Sequence, residues 1–307
     1  MENFVTVAAQ VAVLFLLMGV GAVCRRRGLI DAPSVKGMVN VLLMVVTPAL
    51  IVDVFQRSYD PAMLESLALA FVISVAVHAV MIALVGAAVR HRNVPSRSAL
   101  RVAGVLSNAG FMGIPLEQAI LGDAGVFYGV VYVVVFNLLA WSWGVRVMGG
   151  KADWRMMLVN PGTVGLAMAL PIFFLSVELP PVVARPVSML ADLNTPLAML
   201  IIGYYLAGAK LSVVLATPGA YVSAFLRLIV CPLMLTAAFW PFRSMLNPEM
   251  MIALTIPASA PSAAMVTMFA AKYDGDVDLS VGVVSATTLM SMATMPVMIA
   301  LAMEVLK

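Results

Sequence analysis

The sequence predicts an all-α polytopic membrane protein with ten transmembrane helices in two inverted five-helix repeats. Three observations support this prediction. Hydrophobic residues make up 63% of the 307 residues and charged residues only 11%, against about 25% charged in an average soluble domain. The chain divides into apolar runs of membrane-spanning length, and short motifs of its first half recur in its second half.

The composition excludes several classes of protein. A membrane-spanning helix uses about 20 apolar residues, so ten of them leave no room for a separate soluble domain. The sequence contains no G-x-x-x-x-G-K-[ST] loop that could bind a nucleotide and drive a pump. A net charge of +3 describes loops at a membrane surface and not a nucleic-acid partner. Cys24 and Cys231 lie in different runs, and we expect free thiols.

The first apolar run is expected to remain as a helix and not to be a cleaved signal peptide. Its positive residues, Arg25 to Arg27, follow the apolar stretch, whereas a secretory signal has them in front. The predicted spans are 4–23, 36–56, 64–89, 98–121, 124–146, 157–177, 186–209, 218–240, 249–271 and 279–304.

The distribution of Lys and Arg predicts that both termini face outward across the cytoplasmic membrane. Positive residues near span ends favour the cytoplasmic side. Thirteen of the 18 lie beside the loops that follow odd-numbered spans, and four lie on the opposite side. The remaining one, Arg227, falls inside the eighth span.

Two motifs recur at nearly constant spacing. Thr47-Pro48 recurs as Thr195-Pro196 at an offset of 148, and GDAGVFYGVV at 122–131 recurs as GDVDLSVGVV at 275–284 at an offset of 153. Because five helices per unit is an odd number, the second copy enters the membrane from the opposite side. Inverted repeats are typical of secondary carriers, and chance similarity among Val- and Gly-rich helices is the alternative. The predicted units are a first repeat 1–148, a short cytoplasmic linker 149–156 and a second repeat 157–307.

Spans four and nine each contain proline near the middle, in SNAGFMGIP at 107–115 and IPASAPS at 256–262. Proline removes an N–H and clashes with the carbonyl one turn back, so we expect both backbones to open near the middle of the bilayer. Protein or a water-filled cavity must then satisfy the freed groups. Exposed helix N-termini at such a place favour an anion. The matched pair predicts a binding site, and ordinary proline kinks are the alternative.

Further residues, spread over the whole chain, follow the pattern of one known family. They are Asn108 with MGIPL at 112–116, NPGT at 160–163, Arg227 with Pro232, Pro261 with FAAKY at 269–273, and Asp278-Leu279. In these motifs the chain resembles the auxin efflux carrier family, which includes the plant auxin exporters and bacterial carriers of malate and malonate.

The resemblance implies a ten-helix fold with a scaffold domain and a transport domain, whose broken helices 4 and 9 cross at the substrate site. Two departures matter. Ser107 stands where the plant exporters have proline, and the short 149–156 segment replaces their long regulatory loop. Transport of auxin itself is therefore not implied.

The candidate substrate-binding residues lie at the two breaks and in the fifth span. The Asn108 amide could hold a carboxylate oxygen, or it could satisfy the loosened backbone. Asn137 is included because the fifth span lines the substrate pocket in the family that the chain resembles. The full set is Asn108, Gly110, Pro115, Asn137, Pro257, Ser259, Pro261 and Ser262.

A second group could couple an ion or support the site. Arg227 buried unpaired would cost about 2.5–3.5 kcal/mol on insertion scales, so it attracts the anion, contacts the scaffold or reaches toward the cytoplasm. Asp53 and Asp192 could bind a proton or sodium, or could be solvated. Asn194 and Thr195 could line the site or bond across helices. No catalytic residue and no metal-binding set is predicted.

We expect a secondary transporter that moves small organic anions (carboxylates) by alternating access, with electrogenic export or exchange favoured. A negative-inside potential contributes about 2.3 kcal/mol per charge per 100 mV, which drives anions outward and opposes import. The alternative is a membrane sensor derived from a carrier fold, although the short loops offer no output surface. An intramembrane enzyme is not expected, because His78 and His91 are the only histidines. The predicted partners are a small organic anion and the lipid bilayer. A homodimer is possible, and no nucleic acid or cofactor is predicted.

Overall fold

The part of the chain described by the computed structural model is all-α. It covers residues 2–152, 155, 159–209 and 211–306. Within these residues, the one extended pairing is an isolated antiparallel bridge between Ser107 and Ser262. The predicted all-α class is confirmed for the described residues.

We number the described helices α1 to α14 in chain order. The first seven are α1 Glu2–Arg26, α2 Ala32–Val54, α3 Pro61–Ala88, α4 Val94–Val105, α5 Ile114–Leu121, α6 Asp123–Val147 and α7 Pro161–Phe174. The others are α8 Pro181–Ala191, α9 Asn194–Leu206, α10 Ser212–Leu215, α11 Pro218–Phe242, α12 Pro248–Ser259, α13 Met265–Lys272 and α14 Val277–Val305.

Seven described helical segments are long and apolar enough to cross a membrane, which makes the chain a multi-pass membrane protein. They are α1, α2, α3, α6, α8 together with α9, α11 and α14. Helix α7, with 14 residues, is shorter, and the fourth and ninth predicted spans are each divided into two half-helices. The ten-span inverted topology therefore stays a prediction.

Three π turns each end two residues before a proline. They are Leu42–Val46 before Pro48, Ala109–Gly113 before Pro115, and Leu226–Val230 before Pro232. The proline ring clashes with the carbonyl four residues earlier, which lies inside the π turn in each case. A wider turn relieves this clash. The helix therefore continues through each of these prolines.

Helices α1 and α9 pack with their backbones in direct contact at two glycines. A Cβ on Gly21 would lie 2.3 Å from the carbonyl oxygen of Leu200, and a Cβ on Gly203 would lie 1.9 Å from that of Met18. Small residues allow such close packing of membrane helices, where lipid provides no hydrophobic driving force between them. The two helices therefore form a tightly packed pair.

Both copies of the Gly-Asp motif occur where a half-helix gives way to a long helix. Gly122, with φ +65°, joins α5 to α6. The Asp276 side chain caps α14 by accepting a hydrogen bond from the Leu279 N–H at 3.1 Å. The recurrence thus falls at the same kind of junction in both halves of the chain.

The unit boundaries 1–148, 149–156 and 157–307 and the outward termini stay predictions. Part of the linker and two of the basic residues counted for the topology, Lys210 and Lys307, fall outside the described residues. The positions outside the described residues are 1, 153, 154, 156–158, 210 and 307.

Candidate functional site

The fourth and ninth predicted spans are both interrupted, as expected. Helix α4 ends at Val105, and its next residue, Leu106, is extended with φ −84° and ψ 112°. Helix α12 ends at Ser259, and the following Ala260 is extended with φ −68° and ψ 151°. Each interruption is followed by helical turns that lead to the other end of the span.

The two interruptions lie against each other as a short antiparallel pair. The Asn108 N–H donates to the Pro261 carbonyl at 2.6 Å, and the Ala263 N–H donates to the Leu106 carbonyl at 2.9 Å. These bonds satisfy backbone groups that the interrupted helices cannot satisfy themselves. We call the paired segments 106–108 and 260–264 the crossing.

Proline explains only one of the two interruptions. Pro261 lies in the second one and restricts Ala260 to extended conformations. Pro115, in contrast, lies in the first turn of α5, and Pro257 stays inside α12, where it packs 3.0 Å from the position of a Cβ on Gly113. The expected openings are present, but Pro115 and Pro257 do not cause them. In the first half of the chain the interruption begins just before Ser107 and Asn108. Serine and asparagine side chains can bond to nearby backbone groups in place of the helical hydrogen bonds.

A narrow cavity of about 30 Å³ lies beside the crossing, with room for one or two water molecules. The crossing and α14 form one wall, and α9 forms the other. The lining includes Asn108, Phe111 and Ala264 from the first wall, Ser285 and Thr288 from α14, and Ile202 and Tyr205 from α9.

The described lining of this cavity contains no charged side chain. Asn108 does not cap the following π turn with its side chain, so its amide stays available to the cavity. The turn that begins at Ala109 and helix α13, which begins at Met265, both start at the crossing. The first N–H groups of the turn at Ala109 have no partner in a preceding turn and bear partial positive charge. In α13, in contrast, the Val266 N–H already donates to the Ala263 carbonyl at 3.1 Å. The cavity therefore offers an anion donors without a formal charge.

Arg227 lies behind the crossing and is fully buried. Its Nη1 donates to the Val105 carbonyl at 2.9 Å, and its Nη2 donates to the Ala258 carbonyl. These carbonyls belong to the C-terminal ends of α4 and α12, the negative ends of the helix dipoles. Arg227 thus ties the two half-helices together and does not line the cavity. In this conformation its contacts favour the structural role over direct attraction of substrate.

The predicted serines support the crossing. Ser259 donates to the Thr255 carbonyl of its own helix at 2.7 Å, and Ser262 donates to the Ala103 carbonyl at 2.8 Å. A Cβ on Gly110 would have no atom of another residue within 4 Å, so the backbone is open on that side. The role of these two serines and of Gly110 in substrate binding stays a prediction.

Asn137 lies away from the cavity. Its Nδ2 donates to the Val133 carbonyl of its own helix at 3.0 Å and lies 3.0 Å from the position of a Cβ on Gly162, at the start of α7. The side chain therefore faces α7, and nothing in its contacts connects it with the crossing.

Four of the candidate ion-coupling residues lie near the short joint at 192–193, where α8 ends and α9 begins. Asp53 accepts a hydrogen bond from the Ser188 hydroxyl at 2.5 Å, which joins α2 to α8. Asp192 follows α8 and is exposed. Asn194 is buried with an unpartnered Nδ2, and Thr195 beside it is half-buried. None of these four residues lines the cavity.

Sequence reasoning missed several residues that the structure brings to the site. Ser285 and Thr288 line the cavity, and the Thr287 hydroxyl accepts a hydrogen bond from the Ser262 N–H at 3.2 Å. A run of small polar residues in an apolar span, SATT at 285–288, was an available signal. Glu117 was also missed, although it is an acidic residue in a half-helix whose other residues, apart from Gln118, are apolar.

We compared the chain with models of protein families and with curated proteins. Residues 6–153 match the family model described as Membrane transport protein. The first half of the chain is thus similar to a family of membrane transport proteins. This is the family of the auxin efflux carriers, so the resemblance in the sequence is confirmed. Residues 194–307 match the model of the Sodium Bile acid symporter family.

One curated relative is an uncharacterized transporter of Methanothermobacter thermautotrophicus. It is 28% identical to this chain over 203 residues, which cover 64% of this chain and 65% of the relative. The matched region spans less than two thirds of that protein. The names of this relative and of the matched family models refer to transport, and the relative's name gives no substrate.

Proposed function

We propose that this chain is a secondary transporter that moves small organic anions, carboxylates above all, across the cytoplasmic membrane by alternating access. The observation that best supports this proposal is the cavity at the crossing, with Asn108 in its wall. The match of residues 6–153 to a family of membrane transport proteins supports the same class of function.

The chemistry of the cavity favours a small anion over a cation. Its described lining has no carboxylate that could bind a cation. The Asn108 amide and the N–H groups at the start of the turn at Ala109 can donate to a carboxylate. The apolar side chains of Phe111 and Ile202 can contact the carbon atoms of an organic acid.

Alternating access requires the two walls of the cavity to separate. In the conformation described, the volume of about 30 Å³ is far below the roughly 300 Å³ or more of a typical small-molecule pocket. The crossing therefore moves away from α9 to admit the substrate from one side at a time, and the packing of α14 on α1 has to change with it.

The charge of the substrate favours export or exchange over concentrative uptake. No basic side chain in the described cavity lining neutralises the anion, so its charge moves with it unless an ion is coupled. A negative-inside potential of 100 mV contributes about 2.3 kcal/mol per charge. This free energy drives a monoanion outward, and twice this free energy opposes the entry of a dicarboxylate with two negative charges.

Counterflow of labelled malonate in proteoliposomes that contain only this protein tests the proposal. We expect Asn108→Ala to insert and fold normally but to reduce counterflow about tenfold or more, because a hydrogen bond to a charged group contributes about 1.5–3 kcal/mol. Asn40→Ala, at an exposed position of α2, is the matched control and should keep the wild-type rate.

Two results would count against the proposal. Unchanged kinetics in the Asn108 variant would mean that the site lies elsewhere. A wild-type protein that binds small carboxylates but shows no counterflow with any of them would favour the alternative, a sensor derived from a carrier fold.

A further inference from the structure

Glu117 is a buried acid that the proposed function leaves unexplained. It lies in half-helix α5, between the crossing and the junction at Gly122. Its side chain is fully buried, and neither carboxylate oxygen has a hydrogen-bond partner among the described residues.

The carboxyl group of Glu117 rests in a notch on α6. Gly129 forms this notch, because a Cβ at that position would lie 1.9 Å from Oε2 and 2.2 Å from Oε1. Gly125, one turn earlier, lets the backbone of α5 approach as well, since its Cβ would lie 3.2 Å from the Glu117 carbonyl oxygen. The acid is thus fitted into a dry seam between two helices.

No group on the neighbouring elements neutralises this acid. Helix α5 packs against α6, the π turn at Ala109–Gly113, α1, α12 and α9. The titratable groups on their described parts are Cys24, Arg25, Arg26, Asp123, Tyr128, Tyr132, Arg146, Tyr204, Tyr205 and Glu249. None of them hydrogen-bonds the Glu117 carboxyl. The nearest polar side chain along α5, Gln118, donates instead to Asp123 at 2.9 Å.

A proton is the cation that fits these surroundings. An ionised carboxylate without any partner in a dry seam is very costly, so the group takes up a proton instead. A sodium ion would need several oxygen ligands, and the described residues place no polar partner on either Glu117 oxygen. The seam therefore suits a neutral carboxyl group.

The seam also lies where the carrier has to move. Helix α5 begins after the crossing and touches both α6 and the α1–α9 pair. Separation of the cavity walls near Asn108 therefore changes the contacts of α5 as well. From Glu117 the chain reaches the end of α5 at Leu121 in about one turn, so a small displacement brings the carboxyl to water.

We propose that Glu117 is a proton-binding site of the carrier, loaded while α5 is packed on α6 and unloaded when that seam opens toward Gly122. This proposal rests on the proposed function, because it couples the proton to the same movement that admits the anion. Transport of the anion should then respond to a pH gradient.

Infrared spectroscopy of the purified full-length protein tests the proton site without any substrate. In wild type we expect the C=O band of a protonated carboxyl that disappears reversibly as the pH is raised, and we expect loss of this band in Glu117→Gln. Asp123→Asn is the matched control and should keep it. Identical spectra of wild type and Glu117→Gln would overturn the proposal, and so would a band that persists at every pH at which the protein stays folded.

Transport provides a second, separate readout. In proteoliposomes, a pH gradient of one unit should change the steady-state distribution of labelled malonate in wild type by about tenfold for one coupled proton. Glu117→Gln should keep counterflow but lose this response. A response retained by the variant would overturn the proton site. Absence of counterflow in both proteins would contradict the proposed function, and the infrared titration would still decide the role of Glu117.

Discussion

At the scale of single residues, the buried polar side chains that the structure describes mostly donate hydrogen bonds to backbone carbonyls. Arg227 is the clearest case, because one guanidinium binds carbonyls at the ends of two half-helices. The planar fork of arginine can reach both carbonyls at once, whereas the single ammonium group of lysine cannot hold the same geometry.

We therefore expect Arg227→Lys to destabilise the folded protein by about 1.5–3 kcal/mol, the usual contribution of a hydrogen bond to a charged group. Unfolding in a denaturing detergent titration measures the change. Arg243→Lys, which alters an exposed arginine at the end of α11, should leave the free energy of unfolding almost unchanged. An equal effect of both substitutions would mean that Arg227 does not hold the half-helices together.

The site residues were predicted with mixed success, for a physical reason. Asn108 could be selected because a polar side chain next to an expected helix break points to a binding role. The positions of Asn137 and Glu117 depend on which face of α6 meets α7 and which meets α5, and no pattern along one strongly apolar helix encodes that choice. A lone acid such as Glu117 is visible in the sequence, but its burial in the Gly129 notch is not.

At the scale of helices, glycine positions determine how closely the bundle packs. Gly21 and Gly203 allow α1 and α9 to touch backbone to backbone, whereas a Cβ on Gly19 would meet no atom within 4 Å. The two glycines of α1 therefore provide an internal comparison.

We expect Gly21→Ala to cost about 1–3 kcal/mol, as for other overpacked sites, because the added Cβ would collide with the Leu200 backbone. Gly19→Ala should have no measurable cost, and the same detergent titration compares the two variants. Equal stability of both variants would show that α1 and α9 are not in direct contact.

The sequence predicted the helices better than it predicted their irregularities. Apolar runs of sufficient length indicated the long helices, because a helix that crosses the lipid needs about 20 apolar residues. The prolines suggested where the helices open, yet π turns absorb Pro48, Pro115 and Pro232, and only Pro261 lies in an interruption. Whether a proline breaks a helix or only widens a turn depends on the contacts that satisfy the freed carbonyl, and those contacts come from distant parts of the chain.

At the scale of the whole molecule, two halves of one chain meet at a cavity whose described lining has no formal charge. If such a carrier moves an anion, the membrane potential acts on the transported charge. In proteoliposomes that contain the Glu117→Gln variant, which we expect to move the anion without a coupled proton, a potassium diffusion potential of 100 mV, negative inside, should bias a transported monoanion outward by about 50-fold at equilibrium. Labelled lactate efflux with and without the potential measures this bias. Efflux that ignores the potential would contradict electrogenic transport.

Formation of an engineered disulfide between the two halves of the chain tests the pairing of segments 106–108 and 260–264 at the crossing. Ser107 and Ser262 form the bridge in which facing Cα atoms lie about 4.5 Å apart, within disulfide range. In a variant with Cys24 and Cys231 replaced by serine, we expect Ser107→Cys with Ser262→Cys to form an intramolecular disulfide detectable by mass spectrometry. Ser107→Cys with Ser259→Cys should not. Absence of the first disulfide in folded protein under oxidising conditions would contradict the crossing, and with it the site.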